Sequence, residues 1–210
     1  MSAPVEAEQY STVEGREYAL RFGMWIFLAS EILLFAGLFA LYAAYRTMYP
    51  REFAHAIEHN TIGYGTFNTY LLITSSFTVA LAVWAARRAR PHTVTALLLV
   101  TAAFGVGFLV IKAVEYAVHI RAGILPGAWY RSSEMPSYGA KMFWTLYYTS
   151  TGLHALHVTA GLVVLLWMTV RSVARAYTPE RHVWLELGTL YWHLVDIMWI
   201  FLWPLLYLTH

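Results

Sequence analysis

Residues 149–161 read T-S-T-G-L-H-A-L-H-V-T-A-G and sit inside a long apolar run near the C-terminus. His154 and His157 stand three residues apart, so a helix presents both on one face. Thr151, Gly152, Thr159 and Gly161 surround them with the small and hydroxyl residues that let membrane helices approach closely and hydrogen-bond across the contact. A polar stripe in so apolar a helix needs a partner helix rather than lipid.

Working outward, composition sets the class. The chain has 210 residues, 59% hydrophobic and only 12% charged, whereas soluble domains carry about 25% charged residues. Its mean hydropathy is +0.51. This is an integral membrane protein, and its length goes into crossings of about 20 residues each. With no cysteine there is no disulfide, iron-sulfur cluster, thiolate zinc site or covalent c-type haem. A net charge of +2 with scattered arginines leaves no nucleic-acid footprint.

Residues 1–20 are polar and lack the basic start and short apolar core of a cleaved signal peptide. They read as a tail, followed by an all-α membrane domain over 21–210. Five spans follow, at roughly residues 21–45, 65–86, 93–119, 142–170 and 184–208. The segment with Pro50, Arg51, His55, Glu58 and His59 reads as a loop, as does 120–140 with Pro126 and Pro136. Thr178, Pro179 and Glu180 read as the N-cap and first turn that open the fifth helix.

Five spans place the chain ends on opposite sides. With the N-terminus lie Arg16, Arg21, Arg87, Arg88, Arg90, Arg171, Arg175 and Arg181; opposite lie Arg46, Arg51, Arg121, Arg131 and Lys141. The excess of basic residues in these short connections predicts a cytoplasmic N-terminus and a periplasmic C-terminus.

Function then has to lie in polar residues inside the spans: Glu31, Lys112, Glu115, His154, His157, His193 and Asp196. A metal reading groups the histidines with Glu31 and Glu115, but the Glu-x-x-His pair of carboxylate-bridged di-iron helices occurs in no span. A bis-histidine haem between His154 or His157 and His193 meets the bulk of Trp192, Trp199 and Trp203. A proton reading centres on Glu31 and Glu115, with Lys112 able to neutralise Glu115 one turn away. The bland alternative is a set of interhelical hydrogen bonds that fix packing.

Several of these runs together carry a resemblance. R-F-G-M-W-I-F-L-A-S-E-I-L-L-F from Arg21, F-N-T-Y-L-L-I-T-S-S from Phe67, E-Y at Glu115, T-G-L-H-A-L-H-V-T-A-G from Thr151 and Y-W-H-L-V-D-I-M-W-I-F from Tyr191 resemble subunit III of the haem-copper oxygen reductases, in its five-helix form. The similarity covers essentially the whole chain after residue 20.

That resemblance implies a non-redox subunit with no catalytic residue and no metal of its own. It would pack directly against catalytic subunit I, with subunit II and a small subunit IV in the same complex. Haem and copper would reside in those partners, and phospholipid would be bound here, in a bacterial inner membrane. It further implies support of proton uptake during reduction of oxygen to water. By the same resemblance Glu31, Glu115, His154, His157, His193 and Asp196 are structural or proton-related positions; the interfacial habits of Trp and Arg make Trp25, Trp192 and Arg181 expected contacts for lipid head groups or acyl chains. Longer members have seven helices, so a lipid cleft here would lack its first two. A cytochrome c oxidase is the first reading; a quinol oxidase or a nitric oxide reductase-associated homologue stands beside it. A stand-alone transporter is the rival outside the family, against which stand the odd span count and the lack of an inverted repeat.

Overall fold

A computed structural model describes residues 13–132, 135–179 and 181–209. Among them the chain forms six α-helices: α1 Val13–Met48, α2 Pro50–Glu58, α3 Ile62–Arg87, α4 Pro91–Arg121, α5 Tyr138–Val173 and α6 Val183–Tyr207. All but α2 are long and apolar enough to cross a membrane. No strand forms among the described residues, beyond a single bridge between Thr178 and Arg181.

Helix ends follow local chemistry. Pro50 and Pro91 open α2 and α4, where a missing N–H costs nothing. The Ser137 hydroxyl accepts from the Ala140 amide and caps α5. Ala89 and Arg175 adopt left-handed backbone just past α3 and α5, each at φ 53°, which stops those helices and turns the chain back.

Three boundaries differ from the sequence reading. α1 begins at Val13, so part of the expected tail is helix; its 36 residues make about 54 Å at 1.5 Å each, well beyond a hydrocarbon core. The expected loop after α1 contains α2, whose Phe53, Ala56 and Ile57 are wholly buried while Arg51, His55 and Glu58 point outward. Those apolar residues fall at i, i+3 and i+4, but the segment is too short for periodicity to reveal a helix. Thr178 does not cap α6: its carbonyl accepts from the Arg181 amide in a turn, and the helix opens four residues later, after His182. Glu180 lies outside the described residues.

The bundle core is α3, α4, α5 and α6. α1 packs on α5 and α6, and no Cα of it comes within 8 Å of α3 or α4. Since α1 buries little of itself, polar ties hold it at three levels. Arg21 meets Glu186 near its start at 2.8 Å, and Glu31 meets His157 midway at 2.7 Å. Near its end the Tyr42 hydroxyl donates to the Leu205 carbonyl at 2.6 Å, and Arg46 donates to Thr209.

Trp192 is the centre of the helix packing. It is 1% exposed and its indole N–H donates to the Ser75 hydroxyl at 2.9 Å. Two glycines on facing helices make room for it: a Cβ on Gly105 would lie 2.7 Å from the indole Cη2, and one on Gly161 2.8 Å from Cε3. Gly161→Val is therefore expected to overpack this contact at about 1–3 kcal/mol. Thermal unfolding of the detergent-solubilised chain checks it, and a transition no lower than that of the unaltered chain would contradict the packing account.

Candidate functional site

All but one of the sequence-selected polar residues fall into three separate clusters, one fully buried and two part-buried. The first joins α1 to α5. His157 Nε2 lies 2.7 Å from Glu31 Oε2, while its Nδ1 lies 2.8 Å from the Leu153 carbonyl. A carbonyl only accepts, so Nδ1 carries a proton. Nε2 and the carboxyl then share one further proton, as imidazolium with carboxylate or as imidazole with carboxylic acid. The His157 ring also packs on Phe35 at 5.3 Å, and the Tyr191 hydroxyl donates to the His157 carbonyl at 3.2 Å.

The second cluster is closed on itself. Lys112 Nζ donates to Glu115 Oε2 at 2.9 Å, to the Tyr147 hydroxyl at 2.9 Å and to the Tyr207 hydroxyl at 2.7 Å. Both tyrosine hydroxyls in turn donate to Glu115 Oε1, at 2.8 and 2.6 Å. Three ammonium protons thus meet three acceptors, and both carboxylate oxygens are used. The cation also stands 4.7 Å from the Tyr147 ring centre and 5.2 Å from that of Trp199, which offer it the faces of two π systems.

The third cluster lies between α3 and α6. Ser76 Oγ is 2.5 Å from His193 Nδ1 and also lies beside Asp196. On the same face Trp199 donates to the Thr69 hydroxyl at 3.0 Å. The hydroxyl-rich stripe of α3 is thus the counterpart of the Y-W-H-x-x-D-x-x-W stripe of α6.

His154 shares a helix face with His157 but joins none of these clusters. It is 0% exposed, neither ring nitrogen has a hydrogen-bond partner, and its ring lies among Phe108 at 5.4 Å, Trp199 at 5.1 Å and Phe35 at 6.5 Å. His119, one turn beyond Glu115, is likewise buried without a partner and packs on Trp144 at 4.8 Å. Among the described residues no three His, Cys, Asp or Glu side chains gather as a metal-ligating set.

The three residues read as lipid contacts do not form one surface. Trp25 is 63% exposed on α1 and Arg181 is exposed in the turn before α6. Trp192 is interior, pinned by Ser75 and two glycines, and has no face left for an acyl chain. The apolar groove between α1, α5 and α6, about 650 Å³, is lined instead by Phe27, Trp167 and Trp184 among others.

Sequence reasoning missed Tyr147 and Tyr207, which complete Lys112 and Glu115, and Glu186, which accepts from Arg21, Arg87 at 2.7 Å and His182 at 3.0 Å. An acid opening a helix on the face with most arginines was the available signal for Glu186. No signal marked the tyrosines among fifteen in the chain.

The fold is an all-helical bundle with five helices long and apolar enough to cross a membrane, tied together by polar contacts between them. The family model described as Cytochrome c oxidase subunit III matches residues 8–209. The chain is 30% identical to quinol oxidase subunit 3 of Bacillus spizizenii over 212 aligned residues, 99% of this chain and 93% of that one. It is 32% identical to the probable cytochrome c oxidase subunit 3 of Mycobacterium leprae, over 88% of this chain and 85% of that one. Against cytochrome c oxidase subunit 3 of Synechocystis it is 32% identical over 89% of this chain and 74% of that one. The chain belongs to the cytochrome c oxidase subunit III family.

Breaking the buried quartet gives a direct test of its closure. Lys112→Met leaves the Glu115 carboxylate without its counter-charge and is expected to destabilise the bundle by about 3–5 kcal/mol. Lys112→Met combined with Glu115→Leu removes both charges and should recover most of that loss. Unfolding in detergent measures both; a double variant as unstable as the single one would refute the account.

Proposed function

We propose that this chain is the non-redox subunit III of a proton-pumping cytochrome c oxidase in a bacterial cytoplasmic membrane. It packs directly against catalytic subunit I, with subunit II and a small subunit IV in the same complex, and supports proton uptake as oxygen is reduced to water. Haem and copper belong to the partner subunits. The observation that carries this reading is the family match running over residues 8–209.

The polar clusters support it. The Lys112–Glu115 cluster is closed within the bundle, and the outer faces of α1, α3 and α4 are apolar and exposed, as a subunit set in lipid and against other subunits requires. The basic excess near the N-terminal end of α1 favours a cytoplasmic N-terminus. We place Glu31, Glu115, His154, His157, His193 and Asp196 in structural or proton-holding roles. Trp25 and Arg181 are interfacial lipid contacts in this reading.

A quinol oxidase subunit is the second reading, favoured by the Bacillus spizizenii relative that matches 99% of the chain. Affinity purification in mild detergent separates the two. Co-purification of a haem- and copper-bearing subunit with oxygen uptake driven by reduced cytochrome c is the expected outcome. Uptake driven only by quinol selects the second reading, and a colourless chain that purifies alone defeats both.

Within that complex, Glu31→Gln keeps a donor for His157 Nε2 and should leave subunit association and haem content unchanged. Glu31→Ala orphans the buried ring nitrogen, at about 1–3 kcal/mol, and should loosen α1. The retained haem-to-chain ratio through purification measures both, and loss of haem in Glu31→Gln would contradict the assignment.

A further inference from the structure

The run H-A-I-E-H at residues 55–59 closes the short helix α2 and takes no part in the clusters described above. It has the spacing H-x-x-E-H, the reverse of H-E-x-x-H, in which two histidines one helical turn apart hold a zinc ion in a class of metalloenzymes. At i and i+4, His55 and His59 share a helix face, and both are exposed. Their ring centres lie 4.7 Å apart. Two imidazoles on one tetrahedral ion, each nitrogen about 2.0–2.1 Å from it, have centres about 5 Å apart. The backbone of α2 thus already holds the pair at the separation a shared ion requires.

His59 is also oriented as a ligand would be. Its Nδ1 lies 2.9 Å from the His55 carbonyl. A carbonyl only accepts, so Nδ1 carries the proton and the neutral ring presents its lone pair at Nε2. Histidines that bind metals are fixed in this manner, by donating the other ring N–H to a carbonyl or carboxylate.

The support beneath the pair is firm. Phe53, Ala56 and Ile57 anchor the underside of α2 with no exposed surface. Beside His59, the Asn60 side-chain amide donates to the Leu206 carbonyl of α6 at 3.0 Å. A site on a rigid element loses little freedom when it takes up an ion. The local charge favours a cation as well: Glu52 and Glu58 stand three residues to either side of His55 on its helix face, against Arg51 alone.

We propose that His55 and His59 bind one zinc ion on the outer surface of α2, with water completing the coordination. Among the described residues no third His, Cys, Asp or Glu joins the pair, so this is a binding site and not the three-ligand centre of a hydrolase. Zinc has no redox chemistry; the site is compatible with a non-redox subunit and does not rest on that reading. Bound there, the ion ties the end of α2 to its preceding turn and stiffens the connection between α1 and α3.

The test uses the full chain in mild detergent, with any subunits that accompany it, stripped of loosely held metal by a chelator and then titrated with zinc chloride against a chromophoric competitor. The unaltered protein should hold one zinc ion more per chain than His55→Gln, which leaves the ring of His59 in place, and one more than His59→Gln. Each variant should weaken that site by about tenfold or more, since groups that merely orient a metal ligand already contribute that much. Zinc should also raise the unfolding midpoint of the unaltered protein above that of either variant. Excess magnesium, which prefers oxygen ligands, should leave the ion in place. Equal zinc content in the unaltered protein and either variant, or displacement of the additional ion by magnesium, would overturn the proposal.

Discussion

Lys112 and Glu115 can lie inside this bundle because two tyrosines from other helices finish their hydrogen bonding. Hydrocarbon supplies no water to solvate an ion, and an unpaired charge at that depth is costly. The lysine has three protons to place and the carboxylate two oxygens to fill. α4 alone provides one contact between them; Tyr147 of α5 and Tyr207 of α6 provide the rest. The quartet therefore exists only when α4, α5 and α6 are docked in one register, and it fixes that register in return.

The same constraint explains the other polar positions. α1 contributes little buried surface, so it is held by directional contacts at its start, middle and end. Glu31 with His157 is the middle one. Ser76 with His193, Ser75 with Trp192 and Thr69 with Trp199 tie α3 to α6 in the same manner. In lipid such bonds are worth only about 1 kcal/mol each, but they are specific about direction, which apolar contacts between helices are not. Packing supplies the complement: Gly105 and Gly161 clear the volume that Trp192 occupies.

These arrangements suit a subunit of a larger machine. The interior is spent on holding the helices in register, while long apolar faces of α1, α3 and α4 are left outward. His154 and His119 are exceptions, buried without partners among aromatic rings. Beside α1 an apolar groove remains between it and the helices it packs on, α5 and α6.

The sequence by itself determined the class of the protein. Five long apolar runs and few charges require a helical membrane chain, because only internally hydrogen-bonded segments cross lipid. The histidine pair at His154 and His157 and the run through His193 and Asp196 announced polar helix faces, and with the other motifs they carried the family resemblance. What the sequence could not give were the partners. Glu31 meets His157 across 126 positions, and Tyr207 meets Glu115 across 92; periodicity describes one helix at a time and is silent on which faces meet. Tertiary structure also divided two histidines that looked equivalent, since of the pair only His157 reaches an acid. The short α2 and the late start of α6 escaped for a related reason: their ends are set by packing on α5 and by the Thr178 turn rather than by local propensity. Tertiary structure decided which charge is answered by which group, because in a medium without water that choice is made by the neighbouring helix.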